Sequence, residues 1–268
     1  MVTDPSMPPV ITLTTDFGLR DPFVGIMKGV LLSICPSARL VDLTHGVEPQ
    51  DIQGAGLALE GAVAFFPPGT VHLAVVDPGV GSARRALAVR TPGYYLVGAD
   101  NGLFTFALEE IGWTAVSLTA AEYRLPEVSR TFHGRDVFAP AAAHLAAGVP
   151  LDRLGPPVTD PVRLLRPGCR LEDGELIGEV LGADRFGNLV TSIPAARLSQ
   201  LPGPGALTLE VAGRLVGGPV GAYAEGEAGE LASIVGSTGR LEIFVKGGSA
   251  QSRLGAGRGA IVRVRRRR

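Results

Sequence analysis

The chain has 268 residues, of which 46% are hydrophobic and 19% are charged, and its formal net charge is −1. This composition supports a packed core and excludes a globally disordered protein. At about 150 residues per domain, the length predicts roughly two domains. Of the 25 basic residues all but Lys28 and Lys246 are arginines, but acidic residues balance them. We therefore expect no nucleic-acid partner.

Membrane-spanning and disulfide-rich classes are disfavoured by local features of the chain. The longest apolar runs, such as residues 62–66 and 73–76, fall far short of the ~20 residues that cross a bilayer. Residues 1–9 lack a basic stretch followed by an apolar one, so we expect no secretory signal. Cys35 and Cys169 are too few for a disulfide framework or a zinc knuckle. These features predict a soluble cytoplasmic protein with no membrane partner and no structural metal.

The first half of the chain alternates strand and helix patterns. Strands are predicted at residues 10–15, 39–43, 70–76, 85–91, 94–98 and 114–118, and helices at residues 23–34, 51–66, 103–111 and 137–147. Pro92-Gly93 separates the fourth and fifth strands as in a hairpin. Such alternation is typical of an α/β domain with a mainly parallel sheet.

The pattern changes in a Pro- and Arg-rich stretch without periodicity, residues 158–172, which we predict to be a linker. The predicted domains are therefore residues 1–157 and residues 173–268. In the second domain, short strand patterns occur at residues 176–181, 189–193, 206–211, 231–235, 241–245 and 260–264, with a short helix at 251–254. Closely spaced strands of this kind predict a small β-barrel or sandwich. The arginine run at residues 263–268 is predicted to be a solvated tail, since no basic stripe accompanies it.

Polar residues follow the first predicted strand, at the sheet edge where α/β proteins collect ligands. A carboxylate at Asp16 can accept hydrogen bonds from a ribose diol, or it can cap the following helix. Asp21 fits the role of cap better, because Pro22 would then occupy the first helical position. Spacing alone leaves both roles of Asp16 open.

A glycine-rich loop, residues 77–84, follows the strand at 70–76. Gly79 and Gly81 permit close backbone approach, so that Asp77 and Arg84 can face one another. The loop lacks the Gly-Lys-Ser/Thr ending of a phosphate-binding loop and the third glycine of the dinucleotide fingerprint. A structural turn held by an Asp–Arg pair remains the alternative to a functional site.

A third polar cluster, residues 131–136, precedes an apolar helix. His133 is a candidate acid, base or water-positioning group, and Asp136 is predicted to cap the helix. His45 also lies beyond a strand, whereas His72 and His144 lie within apolar patterns and are predicted to be packed or at the surface. The acidic and histidine residues of the clusters have no ligand motif of fixed spacing, so a metal site is only weakly indicated. Nucleophile-elbow and C-x-x-C motifs are missing.

An ordered series of short motifs runs along nearly the whole chain. The series comprises TTDFG at 14–18, DLTHG at 42–46, FFPPGT at 65–70, VVDPGVG at 75–81, GADNG at 98–102, TFHGRD at 131–136, DRFGN at 184–188, Ser237, and LEI at 241–243. This series resembles the S-adenosylmethionine hydrolases, also called S-adenosyl-L-methionine hydroxide adenosyltransferases, which are relatives of the fluorinases and chlorinases. The order of the motifs carries the specificity, since no single one is diagnostic.

The resemblance implies an amino-terminal α/β domain, a carboxy-terminal β-barrel and a homotrimer whose ligand lies between the first domain of one subunit and the second domain of its neighbour. It implies cleavage of S-adenosyl-L-methionine to adenosine and L-methionine, with water or hydroxide attacking the ribose C5′ carbon. By the family's pattern Asp77, Arg84 and His133 handle the water, and His133 accepts or relays its proton. No metal or organic cofactor is implied.

The family's pattern also implies substrate-binding residues. Asp16 corresponds to the carboxylate that binds the ribose diol. Asp184 and Asn188 correspond to groups at the methionine end or the adenine edge, and Ser237 lies near the methionine carboxylate. Phe186 is expected as an aromatic partner of adenine.

The halogenases are the alternative within the family. Gln50 stands where they place an aromatic residue, so Phe186 or Tyr223 is expected to stack on adenine instead. Halogenases lack the charged pair of Asp77 and Arg84, and a carboxylate at this position would repel a halide. From other classes, a non-catalytic protein that binds adenosine or S-adenosylmethionine, and a metal-dependent hydrolase, remain to be distinguished.

Overall fold

The computed structural model describes residues 7–266. The chain divides into two compact units, with the division between Leu164 and Leu165. Residues 1–6 of the segment considered for a signal, and residues 267–268 of the arginine run, lie outside the described residues. Within residues 7–266 no helix is long and apolar enough to span a bilayer. The domain limits at 157 and 173, with the linker between them, stay a prediction.

A six-stranded sheet forms the centre of the first unit. Its strands are β1 (Val10–Thr15), β2 (Arg39–Thr44), β3 (Val71–Val75), β4 (Ala86–Arg90), β5 (Tyr95–Ala99) and β6 (Thr114–Ser117). The order is β2-β1-β3-β5-β4-β6. The pairs β2–β1, β1–β3 and β3–β5 are parallel, whereas β4 is antiparallel to β5 and β6. The mainly parallel sheet and the β4–β5 hairpin are therefore confirmed.

Helices cover both faces of this sheet. They are α1 (Phe23–Ile34), α2 (Ile52–Glu60) and α3 (Ala139–Ala146), with a π-helical turn (Gly134–Phe138) before α3 and 3₁₀ turns at Val63–Phe65, Ala107–Glu109, Ala121–Tyr123 and Leu151–Leu154. Met27 and Leu31, one turn apart on α1, are buried with the alanines of α3. Leu59 of α2 belongs to a second buried cluster, on the other face. The strands are thus buried on both faces, as a parallel sheet requires.

Two local expectations for this unit are wrong. The helix expected at 103–111 is replaced by buried turns at 103–106 and the 3₁₀ turn at Ala107–Glu109, because the side chains of Asn101 and Thr105 bind nearby backbone groups and so compete with helical hydrogen bonding. Asp21 does not cap α1, whose N-cap residue is Pro22 and has no side-chain capping bond.

The second unit is a nearly closed, barrel-like sheet. Its strands are β7 (Arg170–Glu172), β8 (Glu175–Ala183), β9 (Leu189–Pro194), β10 (Leu207–Val211), β11 (Arg214–Gly217), β12 (Pro219–Val220), β13 (Leu231–Val235), β14 (Arg240–Val245) and β15 (Ile261–Arg266). The order is β11-β10-β15-β8-β9-β14-β13-β12, with β7 paired to β8. The sheet curls far enough for β11 to approach β13. Helix α4 (Ala250–Leu254) and 3₁₀ turns at Ala195–Gln200 and Tyr223–Glu225 complete the unit.

The prediction of a solvated tail is wrong for residues 263–266 of the arginine run. Residues up to Arg266 form β15, which pairs with β8 and β10 in the middle of the sheet. Val262 and Val264 are buried, whereas Arg263 and Arg265 lie 3.5 and 3.0 Å from the carboxylate of Glu175. Valine and arginine alternate because successive side chains of a strand point to opposite faces, and here one face is buried and the other is exposed.

Candidate active site

Asp77 and Arg84 form a buried ion pair beyond the carboxyl end of β3. The Nε of Arg84 donates to Oδ1 of Asp77 at 2.8 Å, and Nη2 donates to Oδ2. Only 6% of the Asp77 side chain and 11% of the Arg84 side chain are exposed. The loop at 77–84 thus turns back on itself as its sequence predicts, and the two-point contact orients both groups.

His133 completes a hydrogen-bonded chain with this pair. Its Nδ1 lies 2.8 Å from Nη2 of Arg84. A guanidinium group has no acceptor, so Nδ1 must accept and the proton of the neutral ring is on Nε2. Burial, and then the Arg84 cation, lower the pKa of His133 below 6.5; Arg124 acts in the same direction, while Asp77 and Asp136 oppose it. His133 is therefore a neutral ring near pH 7 whose Nε2 is a donor.

Phe138 supports both basic members of the set, and sequence reasoning missed it. The guanidinium carbon of Arg84 lies 5.2 Å from the centre of the Phe138 ring, and the imidazole of His133 packs edge-on against the same ring. Phe138 is fully buried and ends the π-helical turn that follows His133. Since π-helical turns occur often at functional sites, the turn is a signal, but only the structure reveals it.

Gly81 joins the loop at 77–84 to the segment before His133. It has a φ of +78°, and a Cβ here would lie 2.4 Å from the carbonyl oxygen of Arg130. A side chain at this position would therefore push the two segments apart. Glycine is required here both by conformation and by space.

Asp136 fastens the His133 loop and does not cap a helix, so that prediction is wrong. Its fully buried carboxylate accepts from the backbone N–H of Ser129 at 2.8 Å and from Nε of Arg135 at 2.5 Å. Its carbonyl oxygen accepts the N–H of Leu125. The chain before Asp136 folds back over it, which gives the carboxylate partners other than the helix terminus.

Asp16 is also no cap of α1, so its other predicted role, as a ligand for a diol, remains. Its Oδ2 accepts the backbone N–H of Gln50 at 2.8 Å. Gln50 has a φ of +66°, a strained conformation for a residue other than glycine. Next to Asp16, the ring of Phe17 lies 6.0 Å from that of Phe132. The structure thus brings the Asp16 loop against the loop that carries His133.

The remaining predicted residues belong to the second unit. In the loop between β8 and β9, the Asp184 carboxylate accepts the N–H groups of Phe186 and Asn188 and the side-chain amide of Asn188. Asp184 therefore shapes its own loop. Phe186, on this loop, is 76% exposed. Ser237 is exposed in the turn between β13 and β14.

Tyr223 and Glu242 form a second polar pair in this unit. The hydroxyl of Tyr223 donates to Oε2 of Glu242 at 2.8 Å, and Glu242 is buried. Burial, and then the Glu242 carboxylate, raise the pKa of Tyr223 to about 12. The Glu242 carboxylate also fills the space beside Gly236, next to Ser237. Glu242 was singled out in the sequence only as part of a motif.

Other histidines and both cysteines lie outside this set. As predicted, His72 is packed: it is fully buried, its Nδ1 is 2.8 Å from Oγ1 of Thr12, and its ring lies between two aromatic rings. Cys35 and Cys169 are free thiols. Among residues 7–266, no group of three or more His, Cys, Asp or Glu side chains is placed to hold a metal ion.

Known proteins resemble this chain over almost its full length. An (R)-S-adenosyl-L-methionine hydrolase of Thermus thermophilus is 46% identical over 268 residues, covering 96% of this chain and 100% of the relative. One of Salinispora tropica is 42% identical over 260 residues, covering 96% and 97%. A crystal structure of an uncharacterized conserved protein from Thermotoga maritima has a TM-score of 0.90 at 36% identity, with 96% and 100% covered. A fluorinase of Nocardia brasiliensis is more distant, at 31% identity over 75% of this chain and 76% of the relative.

Family models match both units. Residues 11–155 match the SAM hydroxide adenosyltransferase N-terminal domain. Residues 178–263 match the C-terminal domain of the same family. Since these matches and the relatives cover most of the chain, it belongs to the SAM hydroxide adenosyltransferase family.

Proposed function

We propose that this protein hydrolyses S-adenosyl-L-methionine to adenosine and L-methionine. The observation that carries the proposal is the hydrogen-bonded set of Asp77, Arg84 and His133. It occurs in a chain whose relatives at 42% and 46% identity are named (R)-S-adenosyl-L-methionine hydrolase. A protein that only binds its ligand has no need of a set that orients and polarises water.

The reaction needs an aligned nucleophile more than an acid. The oxygen of water or hydroxide forms a bond to C5′ of the ribose while the C5′–S bond breaks. The electron pair goes to sulfur, which leaves as the neutral thioether of methionine. When water is the nucleophile, its extra proton passes to the solvent; hydroxide has already lost this proton before the attack. Because the sulfonium is already a good leaving group, alignment and a suitable electrostatic environment supply the catalysis.

The three side chains divide these tasks. The Nε2–H of His133 donates to the nucleophilic oxygen and directs a lone pair of this oxygen toward C5′. The Arg84 cation favours the hydroxide form, and Asp77 limits the repulsion between this cation and the substrate sulfonium. Since Arg84 occupies Nδ1 of His133, we assign His133 as a hydrogen-bond donor rather than as the group that accepts the proton. Alignment of the nucleophile and stabilisation of its charge by these fixed groups supply the rate acceleration.

The substrate's remaining groups are assigned to the other predicted residues. Asp16 has carboxylate lone pairs beyond the one used by Gln50, enough for a ribose diol. Asp184, Asn188, Ser237 and Phe186 are proposed for the adenine and methionine ends. We further propose a cytoplasmic homotrimer with active sites at subunit interfaces and no metal or organic cofactor. Light scattering tests the trimer, and full activity in the presence of a chelator tests metal independence.

Product analysis tests the proposal. Purified protein is incubated with S-adenosyl-L-methionine, and adenosine and methionine are quantified over time. We expect both products in equal amounts from wild type, a loss of about 10²-fold or more in His133→Ala, and near wild-type rates in the control His144→Ala. Equal, slow production by wild type and His133→Ala would refute the catalytic assignment.

The same assay separates the alternatives. A binding protein would retain the ligand without turnover for hours. A halide-using adenosyltransferase would form a 5′-halogenated adenosine when chloride or fluoride is added. The hydrogen-bonded set of Asp77, Arg84 and His133 suits a nucleophile derived from water, so we expect adenosine as the product at all halide concentrations.

A further inference from the structure

His45 holds the residues on both sides of Asp16. It lies just after β2 and is 6% exposed. Its carbonyl oxygen accepts the N–H of Gly18 at 2.8 Å, and its Nδ1 lies 2.9 Å from Oγ1 of Thr15. The segment after His45 also supplies the N–H of Gln50 to the Asp16 carboxylate. The turn that carries Asp16 is therefore tied to the turn after β2 at three points.

The surroundings of the His45 ring favour the direction in which the Thr15 hydroxyl donates to Nδ1. Oγ1 of Thr15 accepts the N–H of Phe17, so its own proton is available to Nδ1 of His45. Nε2 on the other side of the ring lies 3.0 Å from Oδ1 of Asp42, a carboxylate oxygen that can only accept. Oδ2 of Asp42 accepts from Nζ of Lys28 at 2.6 Å. The His45 ring thus lies between the Thr15 hydroxyl and the Asp42 carboxylate.

The sheet register creates this contact. Leu13 is paired with Asp42, but the next pairing is Thr14 with Thr44, so β2 contains one extra residue at this point. Such an irregularity re-aims the side chains that follow it. It places His45 beside Thr15, although the two residues are 30 positions apart in sequence.

We propose that His45 is a positioning residue that holds the Asp16 carboxylate in the orientation required by the ribose diol. The inference rests on the proposed function. It assigns His45 to substrate affinity rather than to the chemical step, since its contacts are with the Asp16 turn. If His45 had a purely structural role, its substitution would change both affinity and turnover, and by the same factor whether or not Asp16 is present.

Kinetics of His45→Ala test this role. We expect KM for S-adenosyl-L-methionine to rise about tenfold, as for the loss of one hydrogen bond that orients a charged acceptor, with kcat changed by less than about threefold. In an Asp16→Ala background the same substitution should add little, because the group it orients is gone. Likewise, His45→Ala should reduce the discrimination between the substrate and its 2′-deoxy analogue.

His45→Asn is the matched variant, because its side-chain amide can keep an acceptor near the position of Nδ1. The KM of His45→Asn should therefore stay close to the wild-type value, whereas the KM of His45→Ala rises. If His45→Ala does not fold, Thr15→Val removes only the hydroxyl partner and is read in the same way. Additive effects of His45 and Asp16 substitutions, or an unchanged preference for the 2′-hydroxyl, would overturn the inference. Wild-type turnover tests the proposed function separately. If the wild type produces no adenosine, the proposed hydrolase function fails. If the wild type is active but the His45 and Asp16 substitutions are not coupled, the positioning role of His45 fails.

Discussion

Replacing Arg84 by methionine should reduce both activity and stability, through separable causes. The substitution leaves the Asp77 carboxylate, only 6% exposed, without its cation. It also removes the donor to Nδ1 of His133. The first loss is a folding penalty and the second disrupts the site.

The expected sizes follow from burial. Removing one partner of a buried ion pair costs about 3–5 kcal/mol, which corresponds to a fall of roughly 6–20 °C in the melting temperature of a domain of this size. The turnover rate should fall by about 10²–10⁴-fold. The exposed pair of Arg170 and Glu172, whose side chains are 67% and 55% exposed, provides a control. Arg170→Met should cost at most about 1 kcal/mol.

A double variant separates the two effects. In Asp77→Asn/Arg84→Met the carboxylate charge is gone, so denaturant unfolding should show most of the lost stability restored while adenosine production stays low. Calorimetry and the product assay on wild type, the single variants and the double variant complete the cycle. A double variant at least as unstable as Arg84→Met alone would refute the reasoning from an uncompensated buried charge.

Three further outcomes are expected. Burial and the neighbouring guanidinium of Arg84 lower the pKa of His133. We therefore expect kcat/KM to fall at acid pH with an apparent pKa below 6.5. An apparent pKa above 6.5 in this profile would contradict the role of His133 as a neutral donor. Burial lowers the pKa of His72 to about 4. As the pH falls below about 6.5, His72 becomes protonated in the unfolded chain but stays neutral in the folded one. The free energy of unfolding should therefore fall by about 3 kcal/mol between pH 6.5 and 4. Denaturant unfolding across this range should show the loss in wild type and not in His72→Gln. Gly81→Ala should lower both stability and turnover by more than Gly148→Ala. Both glycines have positive φ, but only at Gly81 would the added Cβ collide with a backbone atom, the carbonyl oxygen of Arg130. Equal melting temperatures of the two variants would contradict this contact.

Local patterns predicted the elements whose hydrogen bonds and packing are themselves local. The bounds of β1 and α1 agree with the sequence pattern, since strand and helix periods are visible within a few residues. The helix expected at 103–111 failed because side-chain bonds of Asn101 and Thr105 replace the helical ones. The strand predicted at 260–264 is part of β15. Its last residues, Arg265 and Arg266, were assigned only to a solvated tail because an arginine run suggests solvent, yet both pair with β10.

Parts of the site lie beyond sequence reasoning for the same reason. Asp77 and Arg84 are seven residues apart in one loop, so their approach could be predicted from glycine and charge. The contact between Arg84 and His133 spans 49 residues and depends on the order of the strands. The support from Phe138 needs the π-helical turn, and the tie between His45 and Thr15 needs the shifted register of β1 and β2. None of these leaves a local pattern.

The origin of the oxygen in adenosine tests the central claim most directly. Wild-type protein turns over S-adenosyl-L-methionine in ¹⁸O-labelled water, and both products are analysed by mass spectrometry. Attack at C5′ predicts a single labelled oxygen on the 5′-hydroxyl of adenosine and unlabelled methionine. Unlabelled adenosine with label in the methionine product would contradict the proposed attack by water or hydroxide at C5′.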